Sequence, residues 1–249
     1  MSSSDGTIRV GKWFLGPTDS GQGGWTAHRL RRAIGQPVTV AIRAPIPLET
    51  DLIVVEQTGD TPTWHLVNPA EPEAPVLIAT TWDANFATTE AVSVETAEAA
   101  RAGFPAHSDH PVPVCFSCGL EPDSMRVHPG PMDDGRWATD WTVPDWAVQP
   151  DGSVDEGVLW AAVDCAQAIY AGNADGRRAS LTVQLAVDVL APLTPGDTYA
   201  LVAWQGTYGR DWDGRKRGAG GAVFSATGEC VARSSSFWVA LAEANTEPS

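Results

Sequence analysis

The chain is short of long apolar runs, of cysteine and of positive charge, and each shortage excludes a class of protein. Although 43% of its 249 residues are hydrophobic, no uninterrupted stretch approaches the ~18 residues that a membrane helix needs. A bilayer-spanning helix is therefore not expected, and no membrane partner is predicted. The N-terminus, Met1-Ser-Ser-Ser-Asp-Gly6, lacks the basic start and apolar core of a secretory signal, so the sequence predicts a cytoplasmic protein. Four cysteines, at 115, 118, 165 and 230, are too few for a disulfide framework in a chain of this length, and free thiols are the expectation. Lysine and arginine number 16 against 31 acidic residues, a formal charge of −15. That charge repels phosphate backbones and excludes nucleic acid as the main partner. An anionic ligand would need a local basic patch.

What is present is a repeated order of elements. A helix is predicted from Gly24 to Ile34, started by Gln22-Gly23-Gly24 and stopped by Gly35 before Pro37. Extended segments follow at 37–57, broken at Pro45 and Pro47, then at 63–68 and 75–85. A second helix is predicted from Gly157 to Ala171, followed by strands at 180–190, 197–205, 218–226 and 229–241. Laying Thr39-Val-Ala-Ile-Arg43 on Thr182-Val-Gln-Leu-Ala186 also brings Pro47 to Asp51 onto Leu193 to Asp197. A repeat of about 100 residues or more exceeds solenoid periods and indicates a duplicated α+β unit; two unrelated α+β domains are the alternative. The predicted division is 1–87 for the first unit, 88–114 for a connecting helix (89–102) and linker, and 115–249 for the second unit. The tail from Glu243 to Ser249 is expected to fray.

Asp164 is the sharpest local feature, the only charged side chain between Glu156 and Asp175 in an otherwise apolar helix. If buried, it is desolvated, its pKa rises, and it becomes a general base or nucleophile. On an exposed stripe, or bonded to backbone amides, it would be structural. Gly157 lies seven residues earlier, at a helix start whose unpaired amides can hold an oxyanion. The glycines of Gln22-Gly23-Gly24 allow a substrate carbonyl near the backbone, or merely form a tight turn. Seven residues after Gly24 stands Arg31, a base where the second half has an acid. That difference predicts one competent site per chain.

Arg210-Asp-Trp-Asp-Gly-Arg215-Lys216-Arg217 is the dense basic segment outside the first helix. It could hold ligand phosphates while Trp212 stacks on a base, or it could be a solvated hairpin tip protecting a sheet edge. Cys115-Phe-Ser-Cys118 has metal-ligand spacing, but no second pair follows. A structural zinc would have to borrow His107, His110 or His128, so no metal centre is predicted. His107-Ser-Asp-His110 lies in a proline-containing linker without a helix or sheet frame, and Ser234-Ser-Ser236 lacks a nucleophile-elbow context. Of the eleven tryptophans, Trp25 and Trp160 stand on the two helices where they could shape a pocket.

The segment Asp155-Glu-Gly-Val-Leu-Trp-Ala-Ala-Val-Asp164 resembles hotdog thioesterases of the phenylacetate-pathway type. In these a His-Gly-Gly turn opens the central helix and an acid follows seven residues after the second glycine. Gly157 and Asp164 match, while Asp155 and Glu156 replace the His and first Gly. Gln22-Gly23-Gly24 is similar to the same turn with Gln for His. The stretch around His110-Pro-Val-Pro-Val-Cys-Phe-Ser-Cys-Gly119 and Arg126-Val-His-Pro-Gly-Pro131 also resembles actinobacterial hotdog proteins. The resemblance implies a double hotdog, two repeats of a central helix wrapped by an antiparallel sheet, and hydrolysis of an acyl-CoA or carrier-bound thioester. It implies Asp164 as base or nucleophile across from Gly23 and Gly24, with Gln22 orienting substrate or water and Gly157 the same-unit alternative. Trp25, Trp160, Arg215, Lys216 and Arg217 are then expected to contact substrate. No cofactor is implied beyond coenzyme A as part of the substrate. A non-catalytic acyl-CoA or small-ligand binder and a hotdog dehydratase or lyase are the other readings. A homo-oligomer through sheet packing stays open, because two units in one chain already supply the pairing that single units gain by dimerising.

Overall fold

The computed structural model describes residues 6–17, 19–82, 86–105, 110–173, 179–206 and 214–241. The expectations for His107, Arg210, Trp212, Asn85 and the tail after Leu241 lie outside them. In chain order the elements are β1 (Thr7–Arg9), α1 (Gly23–Ile34), β2 (Val38–Ile42), β3 (Asp51–Gln57), β4 (Thr63–Val67) and β5 (Pro75–Thr81). Next come α2 (Val94–Arg101), β6 (Gly130–Pro131), β7 (Trp137–Thr142), a 3-10 turn (Asp145–Ala147) and α3 (Gly157–Asn173). The chain closes with β8 (Ser180–Val189), β9 (Thr198–Gln205), β10 (Lys216–Phe224) and β11 (Cys230–Ala240). Among the described residues no helix is long and apolar enough to cross a membrane.

All strands form one antiparallel sheet in the order β1-β3-β4-β5-β2-β8-β11-β10-β9-β7-β6. With the two-residue edge strand β6 set aside, the halves read inward have the same order, β1-β3-β4-β5-β2 and β7-β9-β10-β11-β8, which makes the rest of the sheet two-fold symmetric about the β2–β8 seam. At that seam Ala41 pairs with Gln184 and Val40 with Leu185. Ala41 and Gln184 are also the equivalent residues when Thr39 is laid on Thr182, so the repeat read from sequence has its axis where the structure places it. The strands leading each unit, β1 on β3 and β7 on β9, are the addition to the sequence reading.

Local chemistry sets the helices. In α1 the Gln22 side chain caps the start by accepting from Trp25 N, and Gly35 ends it at φ +80°, with its N–H returning to Arg31 O. Only glycine takes that left-handed backbone conformation without cost. α3 is buried nearly all round because it lies on β7 to β11 and against α1. β10 lets it come close. A side chain at Gly221 would begin 2.5 Å from Gln167 Nε2 on α3, and Gln167 donates to Ser234 Oγ at 2.6 Å. The serine run of β11 is thus interior polar packing.

α1 and α3 meet at their starts. A Cβ on Gly24 would stand 2.3 Å from Trp160 O, and one on Gly157 would stand 2.8 Å from the Trp25 ring. Each helix therefore places its opening glycine against the other helix, which brings the start of one unit to the acid position of its partner.

Candidate active site

Asp164 is 4% exposed and receives three hydrogen bonds, two of them from the first unit. Gln22 Nε2 donates to Oδ2 at 2.7 Å and Gly24 N to the same oxygen at 3.0 Å. Thr182 Oγ1, on β8, donates to Oδ1 at 2.9 Å. Burial pushes the carboxyl up to about 7, against the pull of the Thr182, Gly24 and Gln22 hydrogen bonds, with the Cys115 sulfur adding to the rise. Gln22 is committed at both ends of its amide, since Oε1 accepts from Trp25 N at 2.6 Å. It aligns the acid and is not turned toward solvent to orient water.

Beside the acid opens a mainly apolar cleft of about 410 Å³, whose wall includes Gly23, Thr182, Ile42, Leu181 and Val239, with Arg43 its cation. The point where a side chain on residue 23 would begin lies 3.3 Å from Asp164 Oδ2 and 2.7 Å from Ile42 Cδ1. The missing side chain is what brings the cleft near the carboxylate. Gly23 is the first helical residue of α1, where an amide has no intrahelical acceptor and the helix dipole favours developing negative charge. The Gly24 amide, expected to face a substrate carbonyl, is held by Asp164 instead.

The symmetry-related junction has the opposite charge logic. Arg29 Nη2 bonds Asp155 Oδ2 at 2.6 Å, His28 Nε2 lies 3.6 Å from Glu156 Oε2, and Arg31 Nη1 lies 3.7 Å from the same oxygen. Gly157 N donates to Asp155 Oδ1 at 2.9 Å, so the same-unit oxyanion role expected of Gly157 is closed off by its own neighbour. Burial lowers the His28 pKa despite Glu156 and Asp155, and the contact with His28 lowers Glu156 despite burial. A histidine depressed in the fold contributes full stability above its unfolded value of about 6.5 and loses it as pH falls below that. A depressed Glu156 loses its contribution lower still, below its unfolded value of about 4.3. From pH 7 to pH 5 this loss opposes the gain from Asp164, whose raised carboxyl takes up a proton in the fold over that range. His28→Gln should therefore raise the melting temperature at pH 5 relative to that at pH 7, compared with the wild type, and an unchanged difference would rule out His28 as a contributor.

Trp25 stacks on Phe14 with ring centroids 3.9 Å apart and carries the Arg29 guanidinium over its ring, 3.8 Å from the centroid. Trp160 is 1% exposed. Both sit in helix packing, and neither forms the wall of the cleft at Gly23. Arg217 is likewise buried and donates to Ala171 O in the last turns of α3, where a cation suits the helix dipole, and not to a ligand phosphate. Arg215 holds Ala240 O through Nε at 2.8 Å. Lys216 is exposed and pairs with Val239 of the cleft wall, one strand spacing or roughly 5 Å away.

Two associations escaped the sequence reading. Thr182 had no mark as a partner of Asp164. Cys165, isolated in sequence, meets Cys115 and Cys118, the three sulfurs lying within 4.8 Å of one another. His128 instead stacks on Phe104 and faces the Cys118 and Gly119 carbonyls.

Two central helices, each enclosed by half of one continuous antiparallel sheet with a pseudo-two-fold at β2–β8, make this chain a double hotdog. Two solved structures share that fold over 95% of the chain, each at a TM-score of 0.59. One is a proposed thioesterase from Novosphingobium aromaticivorans DSM 12444, 13% identical and matched over 95% of its own length. The other is a tesB protein of Mycobacterium avium subs paratuberculosis, 17% identical and matched over 92%. The E. coli PaaI protein from the phenylacetic acid degradation operon matches 43% of the chain and 73% of its own, at 21% identity and a TM-score of 0.38. No protein-family model and no curated protein matches the chain.

Proposed function

We propose that the chain hydrolyses an acyl thioester, of coenzyme A or of a carrier, at the junction of Asp164 with the Gln22-Gly23-Gly24 turn. The observation that carries this reading is a buried carboxylate beneath a glycine turn of the opposite unit, beside an apolar cleft. The acyl chain occupies the cleft and the thioester carbonyl lies over Gly23, whose amide receives the developing oxyanion. Asp164 Oδ2 takes a proton from water as the water oxygen bonds the carbonyl carbon. The C–S bond then breaks, and the leaving thiolate takes that proton. Gln22 and Thr182 position the acid. Arg215 and Lys216 meet the phosphates of a coenzyme A moiety that leaves the cleft past Leu181 and Val239, and coenzyme A enters as part of the substrate.

The test is thiol release over a panel of acyl-CoAs differing in length and aromaticity. Turnover of at least one is expected. Replacing Arg215 and Lys216 together by Ala should raise KM for the best acyl-CoA by about tenfold, as expected for losing about 1.4 kcal/mol of phosphate contact, and leave kcat near its starting value. An unchanged KM removes these residues from the site.

A second reading rests on the same carboxylate. Both Asp164 oxygens already accept hydrogen bonds, which suits an acid serving as a structural clasp in a protein that binds acyl-CoA without turning it over. Saturable binding without thiol release across the panel would establish this reading and overturn hydrolysis.

A further inference from the structure

We propose that Cys115, Cys118 and Cys165 form a binding site for a thiophilic d10 cation, Zn2+ in the first place. The three thiols are 2–5% exposed, free of disulfides, and within 4.8 Å of one another. Cys115 Sγ and Cys165 Sγ are 3.7 Å apart. Zinc–sulfur bonds of about 2.3 Å at tetrahedral angles separate their sulfurs by about 3.8 Å. The residues are 50 positions apart in sequence, so this spacing is a product of the fold and not of a local turn.

Backbone hydrogen bonds close the Cys115–Cys118 turn. Gly119 N returns to Cys115 O at 2.7 Å and Leu120 N to Pro113 O at 2.9 Å. A Cβ on Gly119 would stand 2.3 Å from Cys115 O, so the glycine after the second cysteine is what allows the turn to close. Ser117 Oγ ties the turn to α3 by donating to Ala161 O at 3.0 Å, one helical turn before Cys165.

The histidines that sequence spacing offered as further ligands are otherwise engaged. His110 Nδ1 accepts from Val112 N at 2.9 Å, which places the neutral ring's proton on Nε2 and leaves it no lone pair for a metal. His128 Nε2 faces the Cys118 and Gly119 carbonyls at 3.1 Å. The site therefore has three protein ligands, and a water or exogenous ligand takes a fourth position. Binding displaces the thiol protons and links the turn that precedes β7 to the middle of α3. The cation is bound by ligands distinct from the thioesterase residues, and the proposal stands whether or not the chain is a hydrolase.

The test uses the full chain purified without chelator. Metal analysis should find one equivalent of Zn2+ per chain, or of Cu+ on the same thiols. Stripped protein given Co2+ should develop a thiolate-to-metal charge-transfer band, and added Zn2+ should bleach it and raise the melting temperature. Cys165→Ser should lose the band and most of the bound metal, whereas Cys230→Ser, remote from the cluster, should keep both. Should Cys165→Ser fail to fold, protection of three thiols from alkylation by Zn2+ in the wild-type chain reads the same site. No retained metal together with no cobalt band, or a Cys115–Cys165 disulfide in protein isolated without air, overturns the proposal.

Discussion

Asp164→Asn and Asp164→Ala should each lower kcat for thiol release by at least about 100-fold, the usual contribution of a positioned general base, with KM changed far less. In Asp164→Asn the side chain keeps its volume but presents one NH2 where the native carboxylate accepts from Gln22 Nε2, Gly24 N and Thr182 Oγ1. With its oxygen at the Oδ2 place the amide still accepts from Gln22 and Gly24, and its NH2 donates to the Thr182 hydroxyl, which turns to accept, so the variant keeps its partners and loses only its basicity. Asp164→Ala instead leaves the Gln22 and Gly24 donors unpaired in a buried place, at about 1–3 kcal/mol each. The two variants thus differ in structural cost and share the missing carboxylate. A common loss of rate, in proteins shown by circular dichroism to be folded, assigns the chemistry to that group. Wild-type rates in either variant would end the hydrolase reading with Asp164 as base.

The second large effect is on folding. Gly24→Ala places a methyl 2.3 Å from Trp160 O and 2.7 Å from Asp164 Cβ. Both are part of a buried helix and cannot turn aside as a flexible side chain would. α1 must back away from α3, which overpacking data put at about 3 kcal/mol, or about 6–12 °C in melting temperature for a chain of this size. The same retreat lengthens the Gly24 N to Asp164 bond. Gly35→Ala is the control, because its Cβ meets nothing within 4 Å and only the φ of +80° opposes it. Its cost should stay at about 1–2 kcal/mol. Equal melting temperatures for the two variants would show that the helices are not in contact at Gly24.

The legible part of this protein was its local order. The apolar run of α3, the glycine stop of α1 and the β-branched strands each follow from neighbours a few positions apart, so both helices and most strand positions could be read directly. β1 is three residues long and β7 reads Trp-Ala-Thr-Asp-Trp-Thr. Neither carries enough periodicity to mark a strand without the edge it pairs with. Asp164 stood out because a lone carboxylate in an apolar helix is costly wherever it is buried.

The sequence could not say what that carboxylate meets. Gln22 and Asp164 are 142 positions apart, and their bond depends on the seam register of Ala41 with Gln184 and on the close approach of α1 to α3 at Gly24. The same packing buried Arg217 and Trp160 and gathered three cysteines that spacing had left apart. By itself the sequence determined a duplicated α+β unit with an acid in one copy and a base in the other, because those features depend on composition and short-range periodicity. Which glycine turn faces the acid, and which side chains are already engaged, was decided only when the two units joined edge to edge at β2–β8, with α1 against α3, and long-range contacts fixed where each polar group found its partner.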